Sequence, residues 1–96
     1  MERHTVVEIA EGLHARTAAR FARLAADQGV ALRISRAGAG PVDAASVLGV
    51  MTLGADAGTA VVLHADDDAD PATATAALDA LEEFLARRGG APEGTP

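Results

Sequence analysis

The 96-residue chain contains no cysteine, no lysine, no tryptophan and no tyrosine. Without cysteine there are no disulfides, no thiolate nucleophile and no cysteine metal site, which fits a reducing compartment. Phe21 and Phe84 are the only aromatics, which argues against a single-stranded nucleic-acid binder, because such proteins stack bases on aromatic rings. No apolar run approaches the length that spans a bilayer. No charged stretch followed by an apolar core opens the chain, so neither membrane insertion nor a signal peptide is expected, and the expected location is the cytoplasm. His4, His14 and His64 have no tight spacing and no carboxylate pattern completes a set around them, so neither a metal site nor a cofactor is expected. A chain this short has little room for a cleft between domains. Its function should sit on the surface, with a larger partner completing the site.

Charge narrows the partners. The formal net charge is −6, which excludes non-specific binding to a nucleic-acid backbone. All eight basic residues are arginine, and Arg16, Arg20 and Arg23 fall within eight positions. The acids concentrate later, at Asp66, Asp67, Asp68 and Asp70. A local basic patch on an acidic chain suits an acidic protein partner. Apolar residues make up 49% of the chain, enough for a core without metal or disulfide, although much of that share is alanine.

Periodicity gives the elements. Residues 4–9 alternate as a strand, with Thr5, Val7 and Ile9 on one face and Val6 and Glu8 on the other. Residues 15–28 predict a helix whose apolar stripe is Ala18, Phe21, Ala22 and Ala25, with Gly29 as its cap. Arg16, Arg20, Arg23 and Asp27 make the opposite stripe. Residues 30–36 predict a second strand with Val30, Leu32 and Ile34 inward, and residues 37–40 a hairpin loop. Pro41, Val42 and Asp43 predict a short strand at an edge, since proline offers no ladder donor. Ser46 is a suitable N-cap for a short helix over 47–52. Residues 56–58 read as a loop, and residues 59–65 as the fourth strand, with Val61 and Leu63 inward. Asp70 followed by Pro71 starts the last helix, lined by Ala74, Leu78, Leu81, Phe84 and Leu85, with Arg87 and Arg88 favouring its C-terminus. Gly89 and Gly90 stop it, and residues 89–96 are expected to be a disordered tail. The fold class is α/β (α+β), in the order βαββαβα: an open-faced sandwich with a four-stranded, mostly antiparallel sheet and three helices on one face. Residues 1–88 make one domain, expected to be a monomer.

The segment Gly12-Leu13-His14-Ala15-Arg16-Thr17-Ala18 carries the chemistry. It sets a histidine where a loop becomes a helix. Free backbone N–H groups, here of Ala15, Arg16 and Thr17, and the positive end of the dipole make such a start an anion site. Arg16 adds a guanidinium fork that fits phosphate oxygens, and Gly12 permits a turn that other residues resist. A neutral imidazole is a competent nucleophile toward an activated phosphoryl group. The dipole contributes roughly 0.3–1 kcal/mol to holding the new charge, and a charge-assisted hydrogen bond about 1.5–3 kcal/mol. That positions a phosphate without trapping it. A histidine that only caps or packs near the helix start is the plainer alternative.

This segment resembles the active-site signature of the HPr family, the histidine-containing phosphocarriers of the bacterial phosphoenolpyruvate-dependent sugar phosphotransferase system. A second segment, Ala45-Ser46-Val47-Leu48-Gly49-Val50-Met51-Thr52-Leu53-Gly54, is similar to the family's regulatory-serine segment. The resemblance covers residues 3–88. It implies that enzyme I, charged by phosphoenolpyruvate, phosphorylates the δ1 nitrogen of His14, and that the group passes to an enzyme IIA domain of a sugar permease. It implies a carrier rather than an enzyme in its own right, with Arg16 neutralising the phosphoryl group in flight. Arg20 and Arg23, beside His14 on one helix face, would dock the partner together with an apolar patch of Val47, Leu48 and Met51, for which ordinary core packing is the alternative. Ser46 matches the position phosphorylated by a dedicated HPr kinase/phosphorylase in some bacteria, although a plain N-cap role satisfies it equally.

The chain departs from the family pattern in three places. Thr17 stands where proline is usual after the arginine, restoring a backbone donor. Glu11 stands where a small polar residue is common, and a carboxylate near a phosphohistidine repels it. Ala45 replaces a frequent lysine. These leave open a relay dedicated to another pathway, such as nitrogen-linked regulation or dihydroxyacetone phosphorylation, or a regulatory binding module controlled through Ser46. A small ligand-binding regulatory domain is a further class, but it would not need His14 and Arg16 at the first helix start.

Overall fold

The alternation of apolar residues becomes four strands whose inner face is covered by helices. The computed structural model describes residues 1–87, comprising β1 (Glu2–Val6), α1 (Ala15–Ala26), β2 (Leu32–Arg36), β3 (Ala39–Asp43), α2 (Val47–Thr52), β4 (Ala60–Ala65) and α3 (Pro71–Leu85). The sheet runs in the order β1-β4-β2-β3, and all three pairings are antiparallel. The βαββαβα order and the helix-covered sheet are therefore as the sequence indicates, with the sheet antiparallel throughout. No helix is long and apolar enough to cross a membrane among the described residues.

Burial follows the expected faces. Val61 and Leu63 of β4 and Leu32 and Ile34 of β2 are buried against the helices. Phe21 of α1 is wholly buried and lies 5.8 Å from the ring of Phe84, tilted by 60°. Leu78, Leu81 and Leu85 of α3 complete this core, joined by Ala77. Phe84 is only half-buried, because its ring reaches the margin between α1 and α3.

Several ends move. The first strand spans Glu2–Val6 rather than residues 4–9, because its ladder with β4 begins at Glu2–His64; Val7 and Ile9 remain buried beyond the strand end. β2 begins at Leu32, leaving Val30 in the connection and half-buried. The hairpin tightens to a turn at Ala37 and Gly38, so β3 starts at Ala39 and runs along the sheet edge through Pro41. Thr59 precedes β4 rather than belonging to it. Helix α1 stops at Ala26, with Asp27 as its C-cap instead of Gly29. Helix α3 starts as expected, with the Asp70 carboxylate accepting from the Thr73 amide at 3.0 Å. It ends at Leu85, so Arg87 lies past its last turn. Arg88, Gly89, Gly90 and the expected tail lie outside the described residues.

Arg3 of β1 crosses to α3, donating to Asp79 at 2.7 Å and Glu82 at 2.6 Å. The hydrogen bond to Asp79, then that to Glu82, raises its pKa above the ordinary guanidinium value. Phe21→Ala would empty the centre of the helix layer, with an expected loss of ~3–5 kcal/mol of stability. Urea denaturation at an unchanged m-value checks this; a loss below ~1 kcal/mol would place the core elsewhere.

Candidate functional site

Two loops run side by side below the first helix. The antiparallel pairing of β1 with β4 continues past the strand ends, with Val7 N–H donating to the Thr59 carbonyl at 2.9 Å and Gly58 N–H to Val7 at 2.7 Å. One loop then turns at Gly12, whose N–H donates to Ile9 at 2.9 Å, and Leu13 N–H donates to the Ala55 carbonyl at 2.8 Å. Gly12 has φ +72°, and a Cβ there would lie 2.9 Å from both the Ala55 oxygen and the Asp56 Cα. Glycine is therefore required twice, for the left-handed backbone and for the close approach of residues 55–56.

This approach builds the site. His14 is the N-cap of α1 in extended conformation, with φ −115° and ψ 173°. Its own carbonyl accepts the first helical hydrogen bond, from Ala18 at 2.8 Å. The ring lies half in solvent, and its Nε2 meets the Asp56 carboxylate at 2.5 Å. Asp56 thus engages Nε2, and the other ring nitrogen, Nδ1, is the one nearer the main chain.

Thr17 is buried, and its hydroxyl works inside the turn rather than toward solvent. It accepts from the His14 amide at 3.1 Å and donates to the Gly12 carbonyl. The side chain therefore locks the turn that carries His14, a role the sequence reading did not give it. Ala15 and Arg16 are exposed at the helix start. Arg16, Arg20 and Arg23 are all exposed on the face away from Phe21 and, among the described residues, form no ion pair. That row leads to an open groove between α1 and α3, where Leu24 and Phe84 lie with Arg20, Arg23 and Arg87. The Arg87 guanidinium sits 5.8 Å above the Phe84 ring.

Helix α2 packs beside α1. Ser46 caps it, its hydroxyl accepting from the Gly49 amide at 3.0 Å. Val50 is the buried residue of this helix, while Leu48 is 76% exposed and Met51 and Val47 about half as much, at 38% and 37%. Core packing thus does not account for these three. At the far end Arg36 donates at 3.1 Å to the carbonyl of Leu53, the C-cap of α2, and at 3.0 Å to that of Gly54 just beyond it.

Asp56 and Arg36 are the contributors that sequence reading missed. Asp56 lies 42 positions from His14 in a segment that reads only as a loop. No spacing announces such a pair, and only the β1–β4 register brings it together. His4 and His64 lie on the sheet, away from this cluster. His64 meets the Ser35 hydroxyl at 2.8 Å, and among the described residues no group of three or more His, Cys, Asp or Glu is placed to hold a metal ion.

The chain is similar to HPr phosphocarrier proteins in both sequence and shape. A family model described as the PTS HPr component phosphorylation site matches residues 1–87. A phosphocarrier protein HPr of Streptomyces coelicolor is 45% identical over 85 residues, covering 88% of this chain and 87% of the relative. One from Cupriavidus necator is 37% identical over 93 residues, covering 97% and 99%. Among solved structures, an HPr from Bacillus anthracis superposes with a TM-score of 0.79 at 27% identity, covering 88% of this chain and 95% of that one.

Gly12→Ala is expected to cost at least ~2 kcal/mol, since a left-handed backbone alone costs an L-residue roughly 1–2 kcal/mol and the Cβ also forces residues 55–56 away. A thermal melt and the hydrogen-exchange protection of the Leu13 amide test this; wild-type protection would show that the two loops do not depend on glycine here.

Proposed function

The chain belongs to the HPr phosphocarrier family of the phosphotransferase system, and from that premise we propose that His14 receives a phosphoryl group on Nδ1 from enzyme I and delivers it to an enzyme IIA domain of a sugar permease. The observation that carries this reading is the placement of His14 itself. Its half-exposed ring stands at the N-cap of α1, with Nε2 occupied by Asp56 and the exposed Arg16 guanidinium two residues on. In this reading the protein is a cytoplasmic carrier and the larger partners supply catalysis. Its ring does the covalent chemistry, while the Ala15, Arg16 and Thr17 amides and the helix dipole meet the phosphate charge. Arg16 neutralises the group as it moves.

The docking surface in this reading has two parts. Val47, Leu48 and Met51 give an exposed apolar patch on α2 of the kind that marks an interaction site. Arg20 and Arg23 give a positive edge for an acidic partner. Ser46 is proposed as a regulatory phosphorylation site. A phosphate there would set negative charge beside the apolar patch and oppose docking of an acidic surface.

Incubation with phosphoenolpyruvate and enzyme I is expected to add one phosphoryl group to the wild-type chain, labile to acid and stable to base. His14→Ala should abolish it while leaving the circular dichroism spectrum unchanged. Undiminished incorporation in that variant would move the search to His4 or His64. The double change Arg20→Glu with Arg23→Glu is expected to slow association with enzyme I roughly tenfold or more at low ionic strength and to flatten its salt dependence. Equal low-salt association rates for the two proteins would remove α1 from the docking surface.

A further inference from the structure

Asp56 stands apart from the parts that the sequence motif supplies. It comes from the loop between α2 and β4, yet its carboxylate lies 2.5 Å from His14 Nε2. Its side chain is 74% exposed and that of His14 52%, so burial does not force the contact. The backbone does. The Leu13–Ala55 hydrogen bond and the close approach at Gly12 fix residues 55–56 beneath the ring. An ionised carboxylate only accepts hydrogen bonds, so the group facing it must be Nε2–H. The hydrogen bond made by one imidazole nitrogen decides which nitrogen carries the proton.

Taking the phosphocarrier reading as its base, we propose that Asp56 is a positioning residue that holds the His14 proton on Nε2 through both phosphoryl transfers. On loading, the Nδ1 lone pair attacks phosphorus of a phosphorylated-nitrogen donor. The Nδ1–P bond forms, the donor's P–N bond breaks, and that electron pair stays on the donor nitrogen. Nε2 keeps its hydrogen, and the ring, now cationic, faces the Asp56 carboxylate. On delivery the acceptor attacks phosphorus, the Nδ1–P bond breaks, and its electron pair returns to Nδ1. The ring left behind is the neutral Nε2–H tautomer that began the cycle. The ring therefore neither gains nor loses a proton at either step and needs no general base or acid.

The test compares wild type with Asp56→Ala, both labelled with nitrogen-15. The exposed Asp56 side chain is not part of the core, and its backbone carbonyl still accepts from Thr59 at 3.0 Å. The first readout is the tautomer ratio of His14 at a pH where the ring is neutral, from long-range proton–nitrogen correlations, and it needs no phosphoryl donor. The Nε2–H to Nδ1–H ratio should fall about fivefold in the variant, the effect of one hydrogen bond to a largely exposed carboxylate. The second readout uses phosphoramidate, a small P–N donor, in place of enzyme I. Wild type should carry the group on Nδ1, and the variant should show a raised share on Nε2. An unchanged tautomer ratio, with Leu13 amide protection retained, overturns the role of Asp56 and leaves the carrier reading standing. A shifted ratio, with no phosphoryl group on wild-type His14 from either phosphoramidate or enzyme I, overturns the carrier reading and the transfer steps built on it.

Discussion

The hydrogen bond from the Leu13 amide to the Ala55 carbonyl makes one site from two loops. The β1–β4 ladder brings the loops to the same end of the sheet, but a ladder alone leaves their tips free. Gly12 lets the chains touch, and the Leu13–Ala55 bond closes the contact. His14 then caps α1 directly above Asp56, and Thr17 fastens the turn from the helix side. Each part is local and modest in energy. Together they hold a half-exposed imidazole in one orientation, which a surface histidine otherwise lacks.

The legible parts of the fold were those set by neighbours in the chain. Ser46 and Asp70 could be read as caps because a cap acts on an amide three residues away. The inward faces of β2 and β4 could be read because pleating alternates side chains whatever the partner strand. Strand ends could not, because pairing decides them. Alternation placed the start of β1 at His4, while its partner in β4 holds it from Glu2. The site divides in the same way. His14 and Arg16 were legible as a motif, whereas Asp56 and Arg36 act across distances in sequence that only the finished topology spans. Thr17 sits between these cases. Its position in the motif was plain, but its hydroxyl turned inward to the Gly12 carbonyl.

Five of the arginines fall into two groups. Arg3 and Arg36 are spent on the fold, one binding β1 to α3 and the other closing the end of α2. Arg16, Arg20 and Arg23 form no ion pair among the described residues and lie exposed along α1. On a chain of net charge −6, that row makes the exposed face of α1 locally basic.

The open sheet carries a consequence at its margins. Among the described residues its two outer strands, β3 and β1, each have one side without a partner strand. Such a side is a template on which a second molecule can add its own strand. β3 carries exposed Pro41, which has no amide hydrogen to contribute, followed by exposed Asp43. β1 presents Glu2 and His4 to solvent, and Arg3 is drawn inward to α3. Both margins therefore resist end-to-end growth of the sheet. A second copy of the chain therefore finds few places along these strands at which to extend the sheet.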